Sequence, residues 1–358
     1  MRVPPSDRSI DVVAMGRSCI DLYAHETGVP ITLVRSFDSY VGGCPTNVSV
    51  GVSRLGKRAM LLTGVGDDQV AEFVLHFLAG EGVDLSAVAL KPGRRTSAVI
   101  LTIQPPDRFP LTYYRDNCAD IALTVDDVDR TPIANARVLF ISGTGLSKEP
   151  SCTATLYAQE RAREADVRVV LDLDYRADQW SDVRTYGAAV RLAAGRSCMV
   201  IGTEDEVRAA AGGLGELDAA VRTLRDTGVP ALVVKRGERG ATIYRQSGLA
   251  RDVAPFQVQV LNVLGAGDAF ASGLLYGWLE GWPLEHAVRF GNATGAIVVT
   301  RHACANDMPT RAEVEAFVAA QGGWGFEIPS PESRVQSPEP RVPRVDQLVT
   351  PASEVERP

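Results

Sequence analysis

The sequence has few metal-binding residues in useful positions. Its 358 residues include four histidines and six cysteines, with no C-x-x-C pair and no H-E-x-x-H motif. Scattered residues of this kind do not build a structural zinc site, so the sequence argues against one. Cysteines without a paired spacing are also typical of a reducing compartment, and we therefore expect a cytoplasmic protein.

Long apolar runs and an excess of basic residues are absent as well. No run of about 18 apolar residues occurs, and no basic segment precedes a short apolar core near the N-terminus, so we expect no membrane span and no signal peptide. The formal net charge is -7. An acidic chain lacks the broad basic surface that nucleic acids require, although a local site for a small anion stays compatible with it.

The composition that is present fits a globular protein, with 45% hydrophobic and 23% charged residues. Short β-rich runs alternate with helical patterns through the second half of the chain, which predicts βαβ units. We therefore expect an α/β fold, a doubly wound and mostly parallel sheet flanked by helices. The runs that carry this prediction are strands at 138–142, 167–173, 199–201 and 231–235 and helices near 151–165, 183–194 and 204–227.

Two segments break the alternation. Residues 30–41 and 94–116 are β-rich without a helix between their strands, which predicts a small β-rich lid on a single domain spanning 9–322. Residues 329–358 are rich in Pro, Ser, Glu and Arg and poor in apolar side chains. Such a composition does not offset the entropy of ordering, so we expect a disordered Pro-rich tail there.

The most informative motif is Asn-Val-Leu-Gly-Ala-Gly-Asp-Ala-Phe at 262–270, followed by apolar residues at helical spacing. The free amides and partial positive charge of a helix N-terminus would let Gly265, Ala266 and Gly267 hold phosphate oxygens. Asp268 beside that anion is a candidate general base. The alternative is equally open, since two glycines allow a tight turn and Asp268 complements the helix dipole.

A second motif begins at Gly42 and Gly43 and continues to Asn47, with apolar residues at helical spacing after it. Paired glycines allow close approach of the backbone, and the amide of Asn47 offers both a donor and an acceptor to a polyol. Taken alone, the same residues also fit an ordinary helix start.

Together, in this order and at this separation, the two motifs resemble the signature regions of the ribokinase-like (PfkB) carbohydrate kinases. The resemblance covers about residues 10–320 and implies a doubly wound α/β domain with a β-rich lid. It implies that Asp268 is the catalytic base and that Gly265, Ala266 and Gly267 form an anion hole. It also implies that the sugar contacts Asp21, Gly42, Gly43 and Asn47.

The same resemblance implies ATP and Mg²⁺ as cofactors. The nucleotide is expected along Lys235 and Gly237, with Asn292 nearby. Glu206 matches the acid of an N-x-x-E element that helps to organise magnesium, although Thr203 stands where the family has Asn. Leu264 likewise replaces a threonine that is common before the Gly-Ala-Gly-Asp element, which removes a hydroxyl and leaves the backbone donors in place.

Within the family, the resemblance is closest to the kinases that act on 5-dehydro-2-deoxygluconate in inositol breakdown. Segments 16–23, 109–120, 261–270 and 301–304 carry it. A sugar acid needs a cationic clamp, because arginine binds a carboxylate through two parallel hydrogen bonds. The candidates are Arg115, Arg176 and Arg17. The alternative is that these arginines pair with neighbouring acids such as Asp116 or Asp174.

The resulting hypothesis is a kinase that transfers the γ-phosphate of ATP to the terminal primary hydroxyl of 5-dehydro-2-deoxy-D-gluconate. Its expected partners are a small-molecule sugar acid and ATP, with no nucleic acid and no membrane, and a homodimer through the lid. Two alternatives stay open. One is a kinase of the same family for 2-keto-3-deoxygluconate, fructose or a nucleoside, and the other is a non-catalytic sugar- or nucleotide-binding protein.

Overall fold

The computed structural model describes residues 7–104, 109–213, 215–246 and 248–326. Its strands, numbered along the chain, are β1 (Ile10–Met15), β2 (Cys19–Ala24), β3 (Phe37–Gly42), β4 (Ala59–Leu62), β5 (Gly64–Val65), β6 (Ala89–Leu90), β7 (Ser97–Leu101), β8 (Leu111–Tyr114), β9 (Ala136–Ser142), β10 (Arg168–Asp172), β11 (Met199–Thr203), β12 (Ala231–Lys235), β13 (Ala241–Arg245) and β14 (Arg251–Val253). Its helices are α1 (Cys44–Arg54), α2 (Gln69–Gly80), α3 (Val125–Arg130), α4 (Ser151–Glu164), α5 (Val183–Ala194), α6 (Glu204–Ala210), α7 (Leu217–Arg225), α8 (Ala266–Leu279), α9 (Leu284–Val298) and α10 (Arg311–Ala320).

Eight strands form the main sheet, in the order β14-β13-β12-β11-β10-β9-β1-β4. The six from β12 to β4 run parallel, and β13 and β14 add an antiparallel edge. The predicted mostly parallel sheet is therefore confirmed. Because parallel strands end on the same side, the carboxyl ends of β10, β11 and β12 meet at one edge of this sheet.

Helices cover both faces of the sheet, which confirms the doubly wound arrangement. Strand β1 shows why, because its fully buried side chains alternate between two cores. Val12 and Ala14 pack with α1, α2, α8 and α9 on one face. Val13 and Met15 pack with helices α3 to α7 on the other. A strand that is apolar on both faces belongs inside a sandwich of helices.

The predicted helices differ from the observed ones in one place. Helices α4 and α5 match their predicted spans closely, whereas the single helix expected at 204–227 is two helices, α6 and α7. Gly212 and Gly213 lie between them with φ of +102° and +139°. These left-handed backbone conformations suit glycine and end the helix. Within the described ranges, no helix combines the length and apolar character needed to span a bilayer.

The lid is a four-stranded sheet in the order β3-β2-β7-β8. Strands β3, β7 and β8 fall in the two predicted lid segments, while β2 comes earlier in the chain and was not expected there. Residues 31–33 form a short 3-10 turn before β3. Residues 105–108 of the predicted lid and the predicted tail at 329–358 lie outside the described residues, and the domain limits of 9–322 stay a prediction.

Candidate active site

Charged side chains gather where the parallel strands β10 and β12 end. Asp172 is the last residue of β10 and Lys235 is the last residue of β12. Asp174 and Arg176 follow β10 directly, and Asp174 is 3% exposed. The carboxyl edge of a doubly wound sheet is where ligands bind, because the helices on the two faces diverge there. This edge is the floor of the candidate site.

Helix α8 begins at the same edge. Gly265 precedes it with φ of +80°, a left-handed conformation that glycine adopts readily. A Cβ on Gly265 would lie 3.0 Å from the Sγ of Cys304, so the turn has no room for a side chain. The Ala266 amide donates to the Val263 carbonyl at 3.3 Å. The N-terminal dipole and the other first-turn amides favour an anion, and the anion hole of Gly265, Ala266 and Gly267 stays a prediction.

Asp268 stands in the first turn of α8 and is largely buried. The Nδ2 of Asn47 donates a hydrogen bond to its Oδ2 at 2.7 Å. Burial raises the pKa of the Asp268 carboxyl, and repulsion from Asp174 raises it further, while the bond from Asn47 works against both. A raised pKa gives the carboxylate a higher affinity for a proton, which is what a general base requires.

Asn47 has capacity for a second partner. Its side chain is 3% exposed, and Nδ2 is used on Asp268. Its Oδ1 is buried and has no hydrogen-bond partner among the residues that the structure describes. A buried carbonyl oxygen left unpaired costs free energy, so a hydroxyl group that donates to it would be bound favourably. Asn47 can therefore link the carboxylate of Asp268 to a polyol.

The two glycines before α1 make room for Asp21 and Arg17. A Cβ on Gly42 would lie 2.0 Å from the Oδ2 of Asp21, and a Cβ on Gly43 would lie 2.3 Å from the backbone oxygen of Arg17. Asp21 sits in the middle of lid strand β2 and is 8% exposed. Burial raises the pKa of its carboxyl and attraction to Arg17 opposes that rise. Side chains at 42 and 43 would push lid and helix apart.

Two of the three candidate clamp arginines, Arg17 and Arg176, line one pocket with Asp268. Arg17 is 6% exposed, and its guanidinium carbon lies 5.3 Å from the ring centroid of Tyr113. The Nε of Arg176 donates to the Oδ1 of Asp174 at 3.0 Å, as the alternative interpretation expected. The pocket is lined by Arg17, Asp21, Tyr23, Gly43, Cys44, Asn47, Val99, Leu101, Leu111, Tyr113, Arg176, Leu264, Gly265, Asp268 and Cys304.

Arg115 is outside this group, and its surroundings favour the structural alternative. It is 3% exposed, and its Nε donates to the Oδ2 of Asp120 at 2.8 Å. Its terminal nitrogens donate to the Ser147 hydroxyl at 3.0 Å and to the Thr144 carbonyl at 3.2 Å. The acid that it meets is Asp120, not the expected Asp116. With its donors already engaged, Arg115 is not arranged as a clamp.

The residues expected near the nucleotide, Lys235, Gly237 and Asn292, are not among those that line this pocket. Gly237 has φ of +58°, in a short 3-10 turn after β12. The Nδ2 of Asn292 donates to the carbonyls of Val253 at 3.2 Å and Ala254 at 2.7 Å, so it holds the chain that follows β14. The backbone conformation of Gly237 and the hydrogen bonds of Asn292 neither require nor forbid a bound nucleotide. The roles of Lys235, Gly237 and Asn292 stay predictions.

Glu206 caps its own helix. Its Oε2 accepts from the Thr203 amide at 2.7 Å, and the Thr203 hydroxyl accepts from the Glu206 amide at 3.2 Å. This reciprocal capping box explains how threonine serves at position 203. Among the residues that the structure describes, no group of three or more His, Cys, Asp or Glu side chains could hold a metal ion.

Comparison with known proteins agrees with this geometry. Residues 9–311 match the model of the pfkB family carbohydrate kinases. The chain belongs to the pfkB family. A relative from Bacillus velezensis named 5-dehydro-2-deoxygluconokinase is 36% identical to it over 318 residues, which cover 88% of this chain and 96% of that protein.

Solved structures of pfkB-like kinases share the fold. A double mutant of fructokinase from Vibrio cholerae, with fructose, ADP and potassium bound, superposes with a TM-score of 0.77 at 26% identity, covering 87% of this chain and 99% of that one. A putative ribokinase II from E. coli, in complex with ATP and Mg²⁺, superposes with a TM-score of 0.79 over 87% of this chain and 99% of that one. At 22% identity, the second likeness supports the fold alone.

The pocket of this pfkB kinase also contains residues that had no predicted role. Tyr113 and Leu111 point into it from β8, where burial alternates with the exposed Thr112 and Tyr114. Tyr23 and Cys304 come from distant parts of the chain, and the Tyr23 oxygen lies 2.8 Å from the Cys304 sulphur. No local pattern could have paired them.

Proposed function

We propose that this chain is an ATP-dependent sugar-acid kinase of inositol breakdown. It transfers the γ-phosphoryl group of ATP to the terminal primary hydroxyl of 5-dehydro-2-deoxy-D-gluconate and gives the 6-phosphate. The observation that carries the proposal is one pocket under the lid that joins the largely buried carboxylate of Asp268 to the guanidinium groups of Arg17 and Arg176. The 5-dehydro-2-deoxygluconokinase of Bacillus velezensis, a relative over most of both chains, supports the substrate.

Asp268 supplies the base. Its carboxylate takes the proton of the sugar hydroxyl while the hydroxyl oxygen forms a bond to the γ-phosphorus and the bond from that phosphorus to the β,γ-bridging oxygen breaks, releasing ADP. Asn47 fixes the carboxylate through its 2.7 Å hydrogen bond and offers its free Oδ1 to the same sugar. Phosphoryl transfer needs a base beside the phosphate site and binding alone does not, so Asp268 supports catalysis.

Arg17 and Arg176 bind the carboxylate of the substrate. Both guanidinium groups border the pocket, and each already has an acidic neighbour, Asp21 for Arg17 and Asp174 for Arg176. Planar guanidinium groups bind carboxylates strongly when water is excluded. A substrate carboxylate would give these guanidinium groups a further anionic partner that a neutral sugar lacks, so the pocket favours an acid.

The phosphate side is formed by the start of α8. First-turn amides other than that of Ala266, which donates to the Val263 carbonyl, would bind the phosphoryl oxygens, and the glycines would let these oxygens approach the backbone. Glu206 is the carboxylate that would take part in holding a magnesium ion. When bound with the nucleotide, Mg²⁺ neutralises charge on the phosphate oxygens.

The lid excludes water from the reacting groups. Val99, Leu101, Leu111 and Tyr113 of strands β7 and β8 line the pocket opposite Asp268. Removing water strengthens the electrostatic contacts of the arginines and prevents phosphoryl transfer to water. We also propose a homodimer through the exposed edges of the lid sheet, because the unpaired backbone groups of an edge strand can pair with another chain. We propose a cytoplasmic location as well, where ATP is available. Light scattering of the purified protein tests the dimer.

A substrate panel tests the proposed function. Release of ADP is measured with Mg-ATP and 5-dehydro-2-deoxygluconate, 2-keto-3-deoxygluconate, fructose, ribose or adenosine, and the product is located by phosphorus NMR. We expect the highest kcat/KM for 5-dehydro-2-deoxygluconate and a phosphate on its terminal carbon. A higher kcat/KM for fructose or adenosine contradicts the sugar-acid assignment, and no turnover with any of the five contradicts the kinase assignment.

A further inference from the structure

A buried lysine lies between the acids at the end of the sheet. The side chain of Lys235 is 12% exposed, and its Nζ donates to the Oδ2 of Asp172 at 3.2 Å. The Oε2 of Glu206 is 4.0 Å from the same nitrogen, too far for a hydrogen bond. An ammonium group has three N–H donors, and in the described part of the chain only Asp172 accepts one of them from Lys235.

The ammonium group of Lys235 lies beside the N-terminus of α8. A Cβ placed on Gly267 would lie 3.0 Å from the Nζ of Lys235, so the nitrogen lies against the backbone of the first helical turn. The N-terminus of a helix carries partial positive charge, and a cation beside it is unfavourable. An anion held between the helix amides and the ammonium group would convert this repulsion into attraction from two sides.

The charge on Lys235 is secured by its neighbours. Burial alone would lower the pKa of the ammonium group, but attraction to Asp172 and Glu206 outweighs burial and raises that pKa. Burial raises the pKa of the Asp172 carboxyl to about 7, nearby carboxylates add to the rise, and Lys235 opposes it. The lysine therefore stays protonated at neutral pH.

We propose that Lys235 is a catalytic residue whose Nζ binds the transferring phosphoryl group against the first turn of α8, and that Asp172 positions it. The place of the anion follows from the chain, because Gly267 immediately precedes Asp268. An anion beside Gly267 is thus next to the base that activates the hydroxyl, which is the position of the phosphoryl group that moves and not of those that stay on ADP.

This inference rests on the proposed function and adds a role to it. As the oxygen of the sugar attacks, negative charge shifts toward the bridging oxygen and is spread over the three outer oxygens of the phosphoryl group. A fixed ammonium group stabilises that charge without reorganising, and its proton stays on Nζ throughout. Asp172 keeps the flexible side chain in place, so its effect passes through Lys235.

The test compares Lys235→Met with Lys235→Arg, and uses Lys57→Met as a matched control. Lys57 is also a part-buried lysine paired with a carboxylate, Glu280, and its side chain is 15% exposed. It sits just after α1, and its partner follows the far end of α8. We expect K235M to lower kcat about 10²–10³-fold with KM for the sugar changed by less than about threefold. K235R should recover at least about tenfold of that loss because it keeps the charge, and K57M should keep wild-type kcat.

Nucleotide binding supplies a measurement that needs no sugar. Titration calorimetry with Mg-ATP and with Mg-ADP should show K235M losing about tenfold or more in affinity for ATP, since one charge-assisted contact to the γ-phosphate is gone, with ADP affinity changed by less than about twofold. Equal losses for both nucleotides, or none for either, would overturn the proposal, as would a folded K235M whose kcat stays within about threefold of wild type.

Folding is controlled with a double variant. K235M leaves the carboxylate of Asp172 buried without its cation, so the single variant is expected to lose stability. The variant D172N/K235M removes both charges, and its kcat decides the question if K235M does not fold. Failure of the inference is distinct from failure of the proposed function. If the wild-type protein does not phosphorylate the sugar acid, the proposed function is wrong. If the wild-type protein and K235M are both active, only the catalytic role of Lys235 is wrong.

Discussion

Two shielded aspartates at opposite ends of the main sheet have opposite electrostatic surroundings. Asp11 lies at the amino end of β1, where its Oδ2 accepts from Arg58 at 3.0 Å and its Oδ1 accepts from Arg137 at 3.1 Å. Burial works to raise its pKa, yet these partners lower the pKa of the carboxyl to about 2. Asp268, at the carboxyl end, has a raised pKa because of burial and Asp174.

The difference separates an acid of the fold from an acid of the site. The charge on Asp11 stabilises the folded state, because two arginines surround the carboxylate. The charge on Asp268 destabilises the folded state. The fold tolerates this cost at a site where the carboxylate has to accept a proton. The unfavourable charge state of Asp268 therefore distinguishes this acid of the site from Asp11.

The largest expected effect is on turnover at Asp268. Replacing Asp268 with Asn should lower kcat about 10²–10⁴-fold, because the variant keeps the shape and the bond from Asn47 but cannot accept the proton. Replacing Asp11 with Asn is the matched control and should leave kcat within about twofold of wild type. Steady-state ADP release and calorimetric ATP binding check both variants. Near-normal turnover of D268N would show that another group is the base.

A smaller effect is expected at the arginine clamp. Arg17→Met and Arg176→Met should each lower kcat/KM for 5-dehydro-2-deoxygluconate about 10–100-fold, because each removes a charge-assisted contact to the carboxylate. Activity on fructose should fall by less than about threefold, since that sugar offers no carboxylate.

Arg54→Met is the control for the clamp. Arg54 forms an ion pair with Glu81 on the surface of the main domain, and its side chain is 21% exposed. We expect unchanged kinetics with both sugars. If R17M and R176M reduce the activity on the acid and on fructose equally, the arginines support the pocket without reading the carboxylate.

Much of the fold was predictable from the sequence because its causes are local. Most residues of the strands that end at 142, 203 and 235 are apolar, and helices α4 and α5 follow from residue spacing within the segment itself. The start of α8 was also predictable, since Gly265 readily adopts the left-handed backbone conformation that precedes the helix.

The site was less predictable where partners come from distant segments. Arg115 resembled a clamp residue by its position after a lid strand, but Asp120, Ser147 and Thr144 engage its nitrogens in the fold. The pairing of Lys235 with Asp172 joins the ends of two strands 63 residues apart in the chain. Such contacts depend on strand order, which no local pattern specifies.

The most direct test of the contrast between the two aspartates is the unfolding free energy of D11N and D268N relative to wild type, measured by urea denaturation at neutral and acidic pH. The folded pKa of Asp11 lies below its unfolded value of 3.8, so its charge stabilises the protein above that pH and the stabilisation is lost as pH falls toward 2. D11N should lose about 1–2 kcal/mol at neutral pH, allowing for the partial exposure of Arg58, and little at pH 2.

For Asp268 the sign is reversed. Its folded pKa lies above the unfolded value of 3.8, so its charge costs stability as pH rises through the folded pKa, and the cost is absent in acid. We predict that D268N is more stable than wild type at neutral pH and equally stable at acidic pH, while D11N is less stable at neutral pH. A D268N variant that loses stability at neutral pH, as D11N does, would contradict the assignment of Asp268 as the acid held ready for a proton.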